Sequence, residues 1–543
     1  MARFNVPSSK PPIKAGPIIT RGTVPTLRTG EGAPGYKRDA LSELFLLACS
    51  NFVGQDTFYE KGKVRDERYL ELIREAVKVD FGWVCRFVPW LRNNANMRTA
   101  ATILAVEAVR ARLAITGKGH PLDQRNRNLI SSVLVRADEP GEMLAYYIAN
   151  YGRNVPRPIK RGIADAAGRL FTQRNVIKYD TNSKAWSFGG IIEFTGPVPE
   201  MRDGVDLFKY LVTKSKRRWR SATQVEASGE REVIEIPESQ AMLRANLQLR
   251  TQASVHRELL LNTARLRQAG MTWEAAKSLA GAKVSARSLW EALIPEMGYM
   301  ALLRNLRNFD EVGVKDDAII ASIIAKLTDP AEVMASRQLP MRFLSAYRTV
   351  PSSRWAQPLE TALQLSLQSV PQLPGSTLIM IDTSGSMNAD MPSHSDLKYW
   401  DAAAIFGLAL AQRCQQVQVA AFSTGTMIFP MRKGASLLKA LDEFRNGGYF
   451  MGGGTYTAQA VAKHYQGHDR VIILTDEQLT DSGSFDPFPS VPADKQMITF
   501  NLAGYEAAQN MSNINRISLG GLSDAAFTLL GSLDSRRSGS WPF

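Results

Sequence analysis

A chain of 543 residues with 44% hydrophobic content has room for two or three globular domains, which excludes a wholly disordered or fibrous protein. Its 66 Lys and Arg against 52 Asp and Glu give a net charge of +14 and a pI near 9.6, favouring an anionic partner such as nucleic acid or an acidic membrane surface. Cys49, Cys85 and Cys414 are far apart and lack a CxxC pair, which argues against a disulfide framework or zinc knuckle and for a reducing, cytoplasmic compartment.

Residues 1–38 begin MARFNVPSSKPPIK, without the apolar core of a signal peptide, and their prolines and basic residues predict an extended basic arm. From Asp39 the pattern changes. Leu41, Leu44, Phe45 and Ala48 follow the spacing of an amphipathic helix, and similar patterns recur at 102–114, 142–151 and 316–327. Pro121, Pro140, Pro295 and Pro330 punctuate them, so residues 39–371 are expected to form an all-α array. Helix pairs about 40 residues apart suit a HEAT-like solenoid, with a helical bundle as the alternative.

After Pro371 and Pro374 the grammar becomes apolar runs alternating with helices: TLIMID, a helix over 398–413, VQVAAFS, helices near 436–445 and 457–465, RVIILTD, and QMITFNLAG. Buried strands interleaved with helices predict a doubly wound, Rossmann-like α/β domain over 372–543. AAAIFGLALA, 402–411, is the longest apolar run; it is too short to span a bilayer and reads as a buried helix. No membrane association is expected.

LIMIDTSGSM, 378–387, ends a strand at the carboxyl edge where such sheets place ligands, and offers Asp382, Ser384 and Ser386 on one short loop. One carboxylate and two hydroxyls are hard oxygen donors suited to Mg²⁺ or another divalent cation. GGGTYT adds Thr455 and VIILTDE adds Asp476. In that order, the three loops resemble the metal-ion-dependent adhesion site of von Willebrand factor A domains. The rivals lack parts: haloacid-dehalogenase chemistry needs a second acid where Ser384 stands, a serine hydrolase needs a GxSxG elbow, and a P-loop ends in GK[ST]. An adhesion site of this kind takes a partner's carboxylate in its open coordination position, and no enzymatic turnover is expected from it.

Two basic clusters lie in the helical region. GRNVPRPIKRGIADAAGRL, 152–170, puts Arg161, Asp165 and Arg169 on one helix face and Ile159, Ile163 and Leu170 on another. TKSKRRWR carries Lys214, Lys216, Arg217, Arg218 and Arg220 around Trp219. Arginines that neutralise phosphates beside an aromatic that stacks a base suit single-stranded nucleic acid, although a solvated helix face would look alike. In PEMGYMALLRNLRNF, 295–309, Leu302, Leu306 and Phe309 share one stripe and Arg304 and Arg307 another.

SLWEALIPEMGYMALLRNLRNF, RFLSAYRTV and a C-terminal IDTSGSM domain together resemble the Ro autoantigen family, the TROVE-module proteins that include bacterial and phage orthologues. LSELFLLACSNF, PIKRGIADAAGRL, AAFSTGT and ILTDEQ extend the resemblance over nearly the whole chain after residue 38. It implies a closed ring of HEAT-like helices, 39–371, followed by a von Willebrand factor A domain. It also implies small noncoding Y-like RNA on the basic outer surface and single-stranded RNA 3′ ends in the ring cavity. Lys160 and Arg161 match basic positions of the family's RNA surface, and charge with family context assigns Arg169, Lys214, Lys216, Arg217, Arg218, Arg304 and Arg307 to RNA as well. Where many members carry a tryptophan followed by histidine and basic residues, this chain reads Phe188, Gly189 and Gly190 after Trp186 and Ser187, so a contact expected there is missing. The resemblance suggests an exoribonuclease partner such as polynucleotide phosphorylase, and a ring closed within one chain requires no second copy, so a monomer is expected. The alternative from another class is a metal-dependent protein-adhesion module with no specific RNA ligand.

Overall fold

The computed structural model describes residues 39–50, 62–117, 124–181, 183–223, 235–338, 340–370, 372–390, 398–432, 434–476, 488–502, 515–520 and 541–543, together with 27–28, 34–35, Phe527 and Leu530. An antiparallel pair of two-residue strands, β1 (Leu27–Arg28) and β2 (Pro34–Gly35), is the described part of the basic arm. From Ala40 to Ser369 every described element is helical, and the α/β pattern follows from Leu373. The fold class read from the sequence is therefore the observed one. No helix among the described residues is long and apolar enough to cross a membrane.

The chain groups into two compact units, one of Met1–Ile115, Leu339–Ser345 and Ser366–Phe543 and the other of Thr116–Gln338 and Ala346–Leu365. The first contains a six-stranded sheet of β3 (Leu373–Asp382), β4 (Cys414–Phe422), β5 (Thr426–Phe429), β6 (Arg470–Thr475), β7 (Gln496–Asn501) and β8 (Arg516–Gly520). Their order is β5-β4-β3-β6-β7-β8, parallel throughout except for the β4–β5 hairpin. The central strands read as continuous apolar runs because both faces are covered. On one face Leu378, Met380, Phe422 and Ile473 pack with Ala460 and Val461 of the helix Thr457–His464. On the other lies the helix Tyr399–Ala411, and a Cβ on its Gly407 would come within 2.9 Å of both Ile381 Cδ1 and Leu474 Cδ1. That glycine sets how closely the helix approaches the sheet. β5 and β8 were not anticipated; in β5 Ile428 is 55% exposed, so this edge strand carries no buried apolar run to reveal it.

In the same unit the helix Gly62–Asn93 is two segments joined at Asp80 (φ −156°, ψ 95°), whose Oδ1 accepts the Trp83 N–H at 2.9 Å and caps the second segment. That segment presents Trp83, Phe87 and Trp90. They cluster with Phe45 of the helix Ala40–Ser50 and with Trp541 and Phe543, Trp83 standing 5.0 Å and 5.4 Å from the last two rings.

The second unit is helical. In the helix Arg157–Leu170, Ile159 and Ile163 are buried, and a Cβ on Gly162 would sit 2.6 Å from the Arg127 carbonyl, so only glycine lets the helix Arg125–Val133 pack this closely. Arg127 then holds Asp165 with two N–H groups, at 2.5 Å and 2.6 Å. Farther along, the buried Asp310 accepts from Arg354 Nη2 (2.5 Å), Trp355 Nε1 (3.0 Å) and the Ser352 N–H (3.2 Å), tying the helix Tyr299–Glu311 to the residues that open Ala356–Ser366.

Phe188, Gly189 and Gly190 begin the helix Phe188–Thr195 and are spent on packing. Phe188 is buried and stacks on Phe171 at 3.9 Å, 8° from parallel, while a Cβ on Gly189 would collide with the Leu211 carbonyl of the helix Gly204–Thr223. At Gly190 the nearest obstacle to a Cβ is Ser187 Oγ, 3.3 Å away. Gly189→Ala is therefore expected to cost about 1–3 kcal/mol through overpacking. Gly190→Ala should be near neutral, and thermal unfolding of the two variants reads the difference.

Candidate functional site

The sheet register assembles the three loops singled out in the sequence. Asp382 pairs with Phe422 across β3–β4, and because Ile381 pairs with Leu474 across β3–β6, Thr475 comes alongside Asp382. Thr475 Oγ1 donates to Asp382 Oδ2 at 2.5 Å, and the Ser384 N–H donates to Oδ1 at 2.8 Å. Ser384 Oγ and Ser386 Oγ are 3.2 Å apart. The glycine loop is stitched to this one by Gly385 N–H on the Gly453 carbonyl and Gly452 N–H on the Thr383 carbonyl, both at 2.9 Å. Gly452 and Gly453 have φ of 67° and 82°, a region that L side chains avoid, which is why glycines precede Thr455.

Asp382, Ser384, Thr455 and Asp476 are all buried, with Ser386 half-buried. Burial, and then the charge of Asp476, push the Asp382 carboxyl up to about 7; the same pair of causes raises the Tyr399 hydroxyl. Two carboxylates buried close enough to repel, with three hydroxyls on adjoining loops, form a hard oxygen set that fits a divalent cation. Asp382 itself has no cationic side chain among the described residues to offset its charge. Thr475 was not anticipated; its place next to Asp476 in ILTDE was legible, but its bond to Asp382 depends on the register.

The basic residues divide by what they already hold. Arg169 donates to Ser131 Oγ (2.8 Å) and to the carbonyls of Ser131 (2.7 Å) and Leu134 (2.5 Å), closing the end of the helix Arg125–Val133. Lys214 reaches the buried Asp180 at 3.2 Å, Lys216 pairs with Glu193 at 3.3 Å and Arg307 with Glu311 at 2.7 Å. Lys160 rests on the Phe194 ring, 4.0 Å from its centroid, and Arg161 beside it is exposed. The side chains of Arg217, Arg218, Trp219 and Arg220 lie outside the described residues.

Arg304 is exposed on the rim of an open cleft of about 480 Å³ in the helical unit, with Arg174 and Lys178 of the helix Gln173–Tyr179 also lining it. None of these three forms an ion pair with a described residue. Trp273, Tyr299 and Asn305 line the same cleft, as does Glu296, which is already paired with Arg267 at 2.7 Å. Arg174 and Lys178 escaped the sequence reading because they lie roughly 130 residues from Arg304 in a helix of ordinary charge.

The raised Asp382 pKa has a definite sign. The folded protein holds that proton more tightly than the unfolded chain, whose carboxyl has the ordinary value of 3.8. This group therefore favours the folded state at low pH, and the benefit is lost as pH rises from about 4 through about 7. In chelator, Asp382→Asn should remove this component, so that its Tm exceeds that of the unsubstituted chain more at pH 7.5 than at pH 5. A constant difference across that range would contradict the shift.

Residues 264–354, which include Trp273, Tyr299 and Arg304, match the TROVE domain family. Among solved structures the chain is similar to the Deinococcus radiodurans Ro (RSR) protein, with a TM-score of 0.60 and 18% identity, over 84% of this chain and 93% of that one. No curated protein matches it in sequence. The chain thus carries a TROVE-like segment in its helical part and shares, over most of its length, the fold of the Deinococcus radiodurans Ro protein.

Proposed function

We propose that the protein is an RNA-binding scaffold whose helical part gathers small noncoding, Y-like RNA and single-stranded RNA 3′ ends. The observation that carries this reading is the cleft in which Arg174, Lys178 and Arg304, unpaired among the described residues, stand around Trp273 and Tyr299, inside and beside the TROVE segment. Cations left open to solvent can neutralise phosphates, and flanking aromatics can stack bases. Lys160 and Arg161 would contribute to a second, Y-like RNA face, with the ring cavity implied by the Ro resemblance taking the 3′ ends. Arg169 and Lys214 contribute less directly, since their charges are committed within the fold. An exoribonuclease such as polynucleotide phosphorylase is the partner that fits a role in noncoding RNA quality control. Cys49, Cys85 and Cys414 form no disulfide with one another, which suits a cytoplasmic setting.

In this reading Asp382, Ser384, Ser386, Thr455 and Asp476 hold Mg²⁺ in a von Willebrand factor A-like domain. The cation supplies an open coordination position for a carboxylate of a protein partner, and the site binds without turnover. The buried carboxylate pair is also the observation that favours a second reading, metal-dependent adhesion without a specific RNA ligand.

A salt titration of RNA binding separates the two. Affinity for a structured small RNA with a single-stranded tail should fall steeply with salt, and Arg174→Ala, Lys178→Ala and Arg304→Ala should each reduce the slope by about one. No binding at low salt would leave the adhesion reading. By titration calorimetry, Asp382→Ala should abolish Mg²⁺ binding while RNA affinity stays within about threefold; unchanged Mg²⁺ affinity would place the cation elsewhere.

A further inference from the structure

Ser423 directly follows β4 and was not among the candidate site residues of the sequence. It is 1% exposed, and its Oγ has no hydrogen-bond partner among the described residues. Its carbonyl accepts the Tyr456 N–H at 3.1 Å, one residue beyond Thr455. The preceding carbonyl, of Phe422, accepts both the N–H (2.8 Å) and the Oγ1–H (3.1 Å) of Thr383, one residue beyond Asp382. Ser423 is thus bracketed between two of the loops that would hold the cation. The next residue, Thr424, closes against the glycine loop: a Cβ on Gly453 would lie 2.9 Å from Thr424 Cγ2.

A hydroxyl buried without a partner destabilises a fold, and alanine would fill nearly the same volume without that cost. Neighbouring parallel strands run about 4.8 Å apart, so a side chain at the end of β4 lies within a few ångströms of the loop that ends β3. Mg²⁺ binds oxygens at about 2.1 Å and usually keeps several waters, each of which needs its own hydrogen-bond partner. We propose that Ser423 is a positioning residue of the cation site, its buried hydroxyl hydrogen-bonding a water of the hydrated divalent cation between the Asp382 and Thr455 loops. This rests on the cation reading above. It separates Ser423 from Thr457, whose Oγ1 is also buried without a partner among the described residues but whose helix, Thr457–His464, begins beyond the Thr455 loop and packs on the sheet.

The test uses the full chain, with Mg²⁺ as the only added ligand. Ser423→Ala should weaken Mg²⁺ binding about tenfold or more by titration calorimetry, in the range seen when outer partners of a metal site are removed. Its Tm in chelator should be unchanged or higher, and the rise in Tm on adding Mg²⁺ should shrink. Ser423→Thr, which keeps the hydroxyl, should restore the affinity to within about threefold. Equal Mg²⁺ affinity in wild type and Ser423→Ala overturns the assignment while leaving the cation reading intact, provided Asp382→Ala still abolishes binding. Loss of affinity in both Ser423→Ala and Ser423→Thr means that shape rather than the hydroxyl matters, and overturns it. So does unfolding of Ser423→Ala in chelator, because the hydroxyl would then serve the fold. If the unsubstituted chain binds no Mg²⁺, the cation reading and this inference fail together.

Discussion

The α/β domain is organised around an electrostatic conflict, since Asp382 and Asp476 are buried at the carboxyl ends of adjacent strands, where burial and mutual repulsion both oppose their charged forms. Parallel pairing of β3 with β6 makes this unavoidable, because it brings the ends of the two strands level. Around the conflict the chain places groups that favour the charged form of Asp382, the Thr475 hydroxyl and the Ser384 N–H. Neither removes the excess negative charge. The glycine loop is bonded to the Asp382 loop at two points, so the oxygens of three loops are held near one another by backbone geometry. The fold itself therefore gathers these oxygens before any ligand is present.

The helical unit treats charge in the opposite way. Part of its cationic charge is committed within the fold: Arg127 on Asp165, Arg354 on Asp310, Lys214 on Asp180 and Arg169 on three acceptors of residues 131 and 134. Such charge-assisted bonds order helix ends and crossings, and removing one partner leaves a partly buried charge that costs several times more than a surface pair would. The net charge of +14 is therefore a poor guide to where an anion could sit. What matters is which of the cations left open to solvent stand together beside groups that could hold a nucleotide. Arg174, Lys178 and Arg304 qualify, and the helices around their cleft also bring Trp273 and Tyr299 to it.

Close packing governs the start of the helix Phe188–Thr195, where Phe188 packs onto Phe171 and Gly189 under the Leu211 carbonyl. The same economy governs Gly162 and Gly407, where a missing side chain brings two elements together and the flanking Ile163 and Leu408 fill the core.

By itself the sequence determined the element types, because apolar periodicity of 3.6 or of unbroken buried runs is a local property that survives without neighbours. It also determined the oxygen-rich character of the 382–386, 455 and 476 loops, since glycines before Thr455 and strand-terminal aspartates are written in the chain. Tertiary structure alone decided the rest. Strand register put Thr475 on Asp382 and bracketed Ser423 between the Asp382 and Thr455 loops. Helix packing turned Arg169 inward and gathered Arg174, Lys178 and Arg304 around one cleft, although they are far apart in the chain. Charge and hydroxyl groups carry no sign of their partners in sequence, and which of them are satisfied within the fold depends on long-range contacts that no local pattern encodes.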